Sequence, residues 1–234
     1  MKIALLGYGK MGKTIEKLAV EKGHQIVAVC TRKEELNKLS GADVAIDFSV
    51  PEAAVLNIEQ CFEQQIPIVS GTTGWLNEFD RVLKSCQNRN GSFIYASNFS
   101  VGVNLFFDLN RKLAQLMAQQ EDYKVAITEI HHIQKLDTPS GTAISLANDI
   151  IEHSNYTSWK LNAAEKGVIP VTAVREEDVK GTHSITYQSA VDTISIKHEA
   201  HSREGFAKGA LLAAEWLQGK KGFFTMKDVL GIEP

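Results

Sequence analysis

The feature that most constrains the fold lies at the start of the chain. Residues 7–12, GYGKMG, stand between a short apolar run (residues 2–6) and a segment with helical spacing over residues 10–23. In that segment Met11, Ile15, Leu18 and Ala19 recur on one face, and Gly23 is a stop signal. A second apolar run follows at residues 25–30. Strand, glycine turn, helix and strand make a β-α-β unit, and such units build parallel sheets with helices on both faces. In Gly7-x-Gly9-x-x-Gly12 the first glycine permits the tight turn, the second lets backbone approach a pyrophosphate, and the third lets helix and strand pack. The free N–H groups and dipole of the helix start then favour an anion. The alternative, a plain tight βα turn, explains less of the surrounding pattern.

The alternation continues. Residues 42–49 read as a strand, 51–64 as a helix with proline in its first turn, 66–74 as a strand ending in a glycine turn, 78–89 as a helix and 92–99 as a fifth strand. This predicts an α/β chain whose N-terminal domain is a Rossmann-type parallel sheet. After residues 98–104 the pattern changes. Residues 105–121 read as a long amphipathic helix, 123–132 as a strand and 140–153 as a helix, with weak periodicity over 154–170. Residues 168–176, 183–189 and 192–200 read as consecutive strands, and 204–219 as the last helix. Strands gathered in this way predict a smaller α+β domain with a mixed or antiparallel sheet.

Composition excludes several classes. Net charge is −3, and no basic run or stripe marks a nucleic-acid partner. No apolar run approaches the ~18 residues of a membrane helix, and residues 3–6 are too short for a secretory signal. Cys30, Cys61 and Cys86 form no CxxC pair, which predicts free thiols in a cytoplasmic setting. They look like core packing rather than nucleophiles.

The cofactor type is read at the end of the second strand, CTRKEE (residues 30–35). Thr31 stands where an acidic residue would bind an adenosine ribose, and Arg32 and Lys33 follow. Cations without a carboxylate favour a 2′-phosphate, hence NADPH, with NADH as the alternative. An equal competitor is that Arg32 and Lys33 merely begin a solvated helix. The segments 47–49, 71–74 and 96–99 end strands three, four and five, where an open parallel sheet meets its ligand.

A second cluster is EIHHIQKLDTPSGTA, residues 129–143. Lys135 offers a positive charge and a proton. Ser140, Gly141 and Thr142 open a helix, so their N–H groups suit a carboxylate. His131 can carry a proton for hydride addition to an unsaturated centre. Taken singly, a strand-end histidine is structural and a Ser-Gly-Thr start is a cap; taken together they predict a site for a small dianion. Adjacent strand residues face opposite ways, so both histidines can share one pocket only if strand geometry lapses by about Ile130. His198 and His201 lack a third ligand of convincing spacing, so no metal is expected.

These stretches resemble the 4-hydroxy-tetrahydrodipicolinate (dihydrodipicolinate) reductase family over nearly the whole chain. The resemblance rests on GYGKMG (7–12), IDFS (46–49), GTTG (71–74), SNFSVGVN (97–104), the 129–143 run, GTHSI (181–185), HSREGFAKGAL (201–211) and GFFTMKDVLGI (222–232). It implies a cytoplasmic step of lysine and diaminopimelate synthesis, reducing a small cyclic dicarboxylate with NADPH or NADH. Carried over by position, His131 is the proton donor or acceptor and Lys135 the proton donor. His132, Ser140, Gly141 and Thr142 belong to the substrate. Gly7, Tyr8, Gly9, Lys10, Met11, Gly12, Arg32, Gly71, Thr72, Thr73, Ala96, Ser97, Asn98 and Phe99 contact the cofactor. The resemblance further implies a homotetramer formed through the second domain's sheet, and a last helix that returns to the first domain. The expected division is 1–98 with 205–234 for the dinucleotide, and 99–204 for substrate and oligomerisation. The rivals are another two-domain oxidoreductase, acting on a sugar or semialdehyde, and a non-catalytic dinucleotide sensor.

Overall fold

The computed structural model describes every residue except Ala164, Arg203 and Pro234, and every side chain but theirs and that of Lys38. The chain divides into two compact units, Met1–Val101 with Glu204–Pro234, and Gly102–Arg203.

The first unit opens with β1 (Lys2–Leu6), α1 (Lys10–Glu21) and β2 (Gln25–Cys30). It continues with β3 (Val44–Asp47), α2 (Pro51–Glu63), β4 (Ile68–Ser70), α3 (Phe79–Asn88) and β5 (Ser92–Tyr95). Along β1, Ile3 and Leu5 enter one core with Ile15 and Leu18 of α1, while Ala4 and Leu6 enter the other with Ile58 and Phe62 of α2. That period of two, buried on both faces, is what a doubly covered parallel strand requires. Gly23, with φ of +81°, turns the chain out of α1 into β2.

The second unit follows: α4 (Val101–Met117), β6 (Lys124–His132), α5 (Gly141–Glu152), β7 (Ser158–Leu161), β8 (Val168–Glu176), β9 (Thr182–Gln188) and β10 (Thr193–Glu199). Its sheet runs β10-β9-β6-β8-β7. β6 is parallel to β8 and antiparallel to β9, so the sheet is mixed. Phe106 and Ala114 of α4 and Leu146 and Ile150 of α5 share a core with Val125, Ile127 and Ile185 of the sheet.

The chain then returns to the first unit as α6 (Glu204–Leu217), β11 (Gly222–Phe224) and α7 (Met226–Leu230). The six parallel strands stand in the order β11-β5-β4-β3-β1-β2. Order reverses between β1 and β3, so their carboxyl ends flank the crevice where such sheets bind ligands.

Two sequence expectations need correction, and the stretch of weak periodicity proves to hold a short strand. The helix over 204–219 is not the last element, because β11 and α7 follow it. The weakly periodic stretch 154–170 holds β7, a four-residue edge strand without buried alternation. The helix expected at 105–121 starts four residues earlier, with Gly102 inside its first turn.

α6 packs closely because it presents Ala207, Gly209, Ala210, Ala213 and Ala214 inward. A methyl group on Gly209 would lie 1.7 Å from the Phe99 carbonyl oxygen. Gly209→Ala is therefore expected to destabilise the first unit by about 1–3 kcal/mol, as overpacking does. Thermal unfolding followed by circular dichroism checks this, and an unchanged melting temperature would contradict the packing.

Candidate active site

At the end of β1, Gly7 has φ of +88°, and a methyl group there would lie 2.3 Å from the Phe48 carbonyl oxygen. No other residue fits that turn. A methyl on Gly12 would lie 2.5 Å from the Gly7 oxygen, so the third glycine serves helix packing. At Gly9 an added methyl meets nothing within 4 Å. Open space lies in front of that backbone. Gly9 is also the N-cap of α1, without a side-chain cap bond and with no acidic residue in the first turn. Lys10 stands there instead, exposed. An uncapped helix start without acidic residues, and with a cation in its first turn, fits an anionic ligand.

A cavity of about 320 Å³ opens beside this turn, lined by Gly7, Tyr8 and Gly9, by Thr31, Arg32 and Lys33 after β2, and by Phe48 and Ser49 after β3. These groups suit the phosphates and adenosine ribose of a dinucleotide. Arg32 and Lys33 both face the cavity and begin an exposed 3-10 turn, so the two readings of that pair coexist.

Glu35 Oε2 folds back to accept from Thr31 N at 2.7 Å, Thr31 Oγ1 at 3.3 Å and Arg32 N at 3.2 Å. A carboxylate thus does reach the end of β2, supplied from four residues on.

The remaining dinucleotide candidates divide by burial. Met11 is half-buried against the core, and the Tyr8 hydroxyl donates to Glu16. Gly71 packs on the Phe48 ring, where an added methyl would come to 2.2 Å. Thr72 is buried, its Oγ1 accepting from Ser49 N at 2.8 Å. Phe99 is a core residue, edge-on to Phe48 at 5.8 Å. Asn98 Oδ1 accepts from Ser100 N at 2.9 Å. Thr73 and Ser97 are exposed and Ala96 is half-buried. Asp47 ties these strand ends together, accepting from Ser49 Oγ at 2.6 Å, Ser70 Oγ at 2.8 Å and Asn57 Nδ2 at 3.0 Å.

In the second unit β6 stays extended through His132, so the expected lapse near Ile130 does not occur. Burial alternates to the end of the strand: Val125, Ile127, Glu129 and His131 point inward, and His132 points the other way. The two histidines therefore serve different surfaces. His132 lines a cavity of about 530 Å³ together with Glu177, Lys180, His201 and Ser202. His131, Lys135 and Ser140–Thr142 do not line it.

His131 stands among groups that sequence spacing did not single out. Register sets Glu129 opposite His183 on β9, and His131 opposite Arg175 on β8. His131 Nδ1 lies 3.5 Å from Glu129 Oε2, and the His131 and His183 rings meet edge-on at 5.0 Å. Glu129 is fully buried and accepts from Ser140 N at 3.0 Å and from Arg175 at 3.3 Å. Burial pushes the Glu129 carboxyl up, but hydrogen bonds from His183 and Ser140 outweigh it and hold the group at about 2. Burial drives His131 down to about 4, against the pull of Glu129, with His183, Lys135 and Arg175 adding to the fall. The imidazole is thus neutral at pH 7.

The oxygen and nitrogen ligand atoms of Glu129, His131 and His183 lie within 4.8 Å of one another. That spacing alone would admit a cation. The guanidinium of Arg175 and the amide of Ser140 already occupy the carboxylate, so the trio reads better as an ion-pair and hydrogen-bond network. The signal for it was a charged residue in phase with the inward Val125, Ile127 and His131.

α5 begins close by. Ser140 is buried, and its Oγ accepts from Ala143 N at 3.2 Å while pairing with His183 Nε2 at 3.1 Å. It acts as a helix cap. With the Ser140 and Ala143 amides engaged, the N–H groups of Gly141 and Thr142 remain of the four at a helix start. Gly141 is exposed, and a methyl on it would meet nothing within 4 Å. The first turn carries no acidic residue. Two adjacent amides with no acceptor among the described residues, on a positive helix end, suit one carboxylate. Lys135 is mostly buried, with Nζ 2.8 Å from the exposed Asp137.

A parallel dinucleotide-type sheet and a separate mixed-sheet unit carrying a protonatable cluster together define a two-domain oxidoreductase that uses a pyridine nucleotide. Family models described as dihydrodipicolinate reductase, N-terminus and C-terminus, match residues 1–99 and 102–230. The chain belongs to the dihydrodipicolinate reductase family. It is 55% identical over 233 residues to the 4-hydroxy-tetrahydrodipicolinate reductase of Christiangramia forsetii, covering 98% of each protein. It is 34% identical to that of Methanoregula boonei, covering 96% of this chain and 95% of that one. In structure it resembles a dipicolinate-bound dihydrodipicolinate reductase from Paenisporosarcina sp. TG-14, with a TM-score of 0.78 at 23% identity over 96% of this chain and 97% of that one. Among the described residues no helix is long and apolar enough to cross a membrane.

Proposed function

We propose that this chain catalyses the NAD(P)H-dependent reduction of 4-hydroxy-tetrahydrodipicolinate to tetrahydrodipicolinate, a step in lysine and diaminopimelate biosynthesis. The observation that carries the reading is full-length identity with a reductase of that name, joined to intact His131, Lys135 and Ser140–Thr142. Exchanging a hydroxyl for hydrogen consumes one hydride and one proton and releases water. The bound reduced nicotinamide supplies the hydride. The chain's own residues supply the proton and hold the dicarboxylate. Gly141 and Thr142 bind one carboxylate through their amides, with Ser140 fixing the helix start beside them. His132, on the other face of β6 and beside the separate cavity of about 530 Å³, takes no part in this arrangement. Lys135 and His131 deliver the proton, and the arrival of a dianion favours protonation of the imidazole that burial keeps neutral.

In the first unit, the Gly7–Gly12 turn with Lys10 takes the pyrophosphate, and the 71–73 and 96–99 segments border the nicotinamide half. Arg32 and Lys33 favour NADPH over NADH, with Glu35 limiting that preference. The unit bounded by residues 99–204 supplies the substrate site and, through its sheet, a homotetramer. Ile194 and Val191 lie exposed in and beside the edge strand β10, in keeping with a covered surface. The protein works in the cytoplasm.

NADPH and NADH oxidation followed with the enzymatically generated cyclic hydroxy-dicarboxylate tests the reaction. Turnover that depends on this substrate is expected, and none with either cofactor would sink the reading. Arg32→Ala is expected to weaken NADPH by about 10-fold, roughly 1.4 kcal/mol, and NADH much less. Equal losses in titrations of the two cofactors would remove Arg32 from recognition of the 2′-phosphate.

A further inference from the structure

The Arg175 side chain reaches both the buried carboxylate and the loop bearing Lys135. Its guanidinium donates to Glu129 Oε1 from both terminal nitrogens at 3.3 Å. The same group donates to the carbonyl oxygens of Lys135 at 3.4 Å and Asp137 at 2.7 Å, and to Thr138 Oγ1 at 2.9 Å. Glu129 in turn holds the amide of Ser140 by hydrogen bonds and lies 3.5 Å from His131 Nδ1, a contact that becomes an ion pair when the imidazole takes up its proton. A planar fork with five fixed donors can make such a set of bonds, and an ammonium cannot.

We propose that the Glu129–Arg175 ion pair is the positioning unit of this site: Glu129 orients His131 and the first turn of α5, and Arg175 fastens the Lys135 loop to the same carboxylate. The two residues contact no reacting atom. They set the relative placement of the two proton-handling side chains and of the Gly141–Thr142 amides. Glu129 has 0% and Arg175 20% side-chain exposure, so the carboxylate end of the pair is shielded from water. The proposal rests on the reading that His131 and Lys135 handle the proton.

The test uses the full chain with Arg175→Lys and Glu129→Gln. Arg175→Lys keeps the charge and loses the fork. It is expected to lower kcat by about 10²-fold, the scale of a 1 Å misplacement, with little change in NADPH affinity. Hydrogen exchange at the amides of residues 135–138 is expected to quicken by about 10-fold. In Glu129→Gln, the His131 ring signal in nuclear magnetic resonance is expected to titrate at lower pH. Among the described residues, His131 then faces His183 from β9, Arg175 from β8 and Lys135 from the following loop, all of them basic groups. The pH profile of kcat should move with it. Wild-type kcat in a folded Arg175→Lys protein, with unaltered exchange, would overturn the proposal, and this variant decides if Glu129→Gln does not fold. Failure of the wild type to reduce the substrate would instead count against the assigned reaction, and exchange and ring titration would still decide the positioning.

Discussion

His131→Ala and Lys135→Ala are each expected to lower kcat/KM by about 10²–10⁴-fold, the usual worth of a placed proton donor. NADPH affinity is expected to stay nearly intact, because the glycine turn, Arg32 and the cavity they line belong to the first unit. The two variants should differ in one respect. Lys135 pairs with an exposed carboxylate, Asp137, which water can solvate when the lysine is gone, so Lys135→Ala should fold normally. His131 is 8% exposed and packs on His183, so His131→Ala opens a cavity. His131→Gln, which fills more of that space, is the control, and it should be as inactive as the alanine variant. Steady-state kinetics and NADPH titration on the three proteins check this. Wild-type kcat/KM in either Lys135→Ala or His131→Gln removes that residue from proton delivery.

The glycine turn was legible because its requirements are local. Gly7 needs a positive φ, Gly12 needs close packing, and both needs are written within six residues. The cap at Ser140 was legible for the same reason. The network around His131 was not. Glu129, Arg175 and His183 come together only through the register of β6 with β8 and β9, across 46 residues in the case of Glu129 and Arg175. One trace of it was present: the inward set Val125, Ile127, Glu129, His131 contains a charge that could be buried only if partners waited on neighbouring strands. Glu35 was missed because a 3-10 turn carries it back to Thr31, and a search for an acidic residue at the strand end stops before it. β7 and β11 are edge strands of four and three residues, too short to show a period.

The same buried network should make the protein acid-sensitive, and the direction follows from two shifts of like consequence. His131 titrates near 4 in the folded chain against 6.5 when free, because burial disfavours the imidazolium. Between those values the unfolded chain binds a proton that the folded chain does not, so stability falls as pH falls. The His131 contribution over that window is about 3 kcal/mol. Glu129 has a folded value near 2 against 4.5, so its stabilisation is fully present above 4.5 and is lost as pH drops toward 2. Its loss therefore begins as that of His131 is nearly complete. Urea unfolding followed by circular dichroism at pH 7 and pH 4 separates the first effect from ordinary acid denaturation. His131→Gln removes the imidazole titration, so its loss of stability over that interval should be smaller than that of the wild type by about 3 kcal/mol. Equal losses in the two proteins would mean that His131 is protonated as readily in the fold as in water, and that the burial seen around it does not govern its charge.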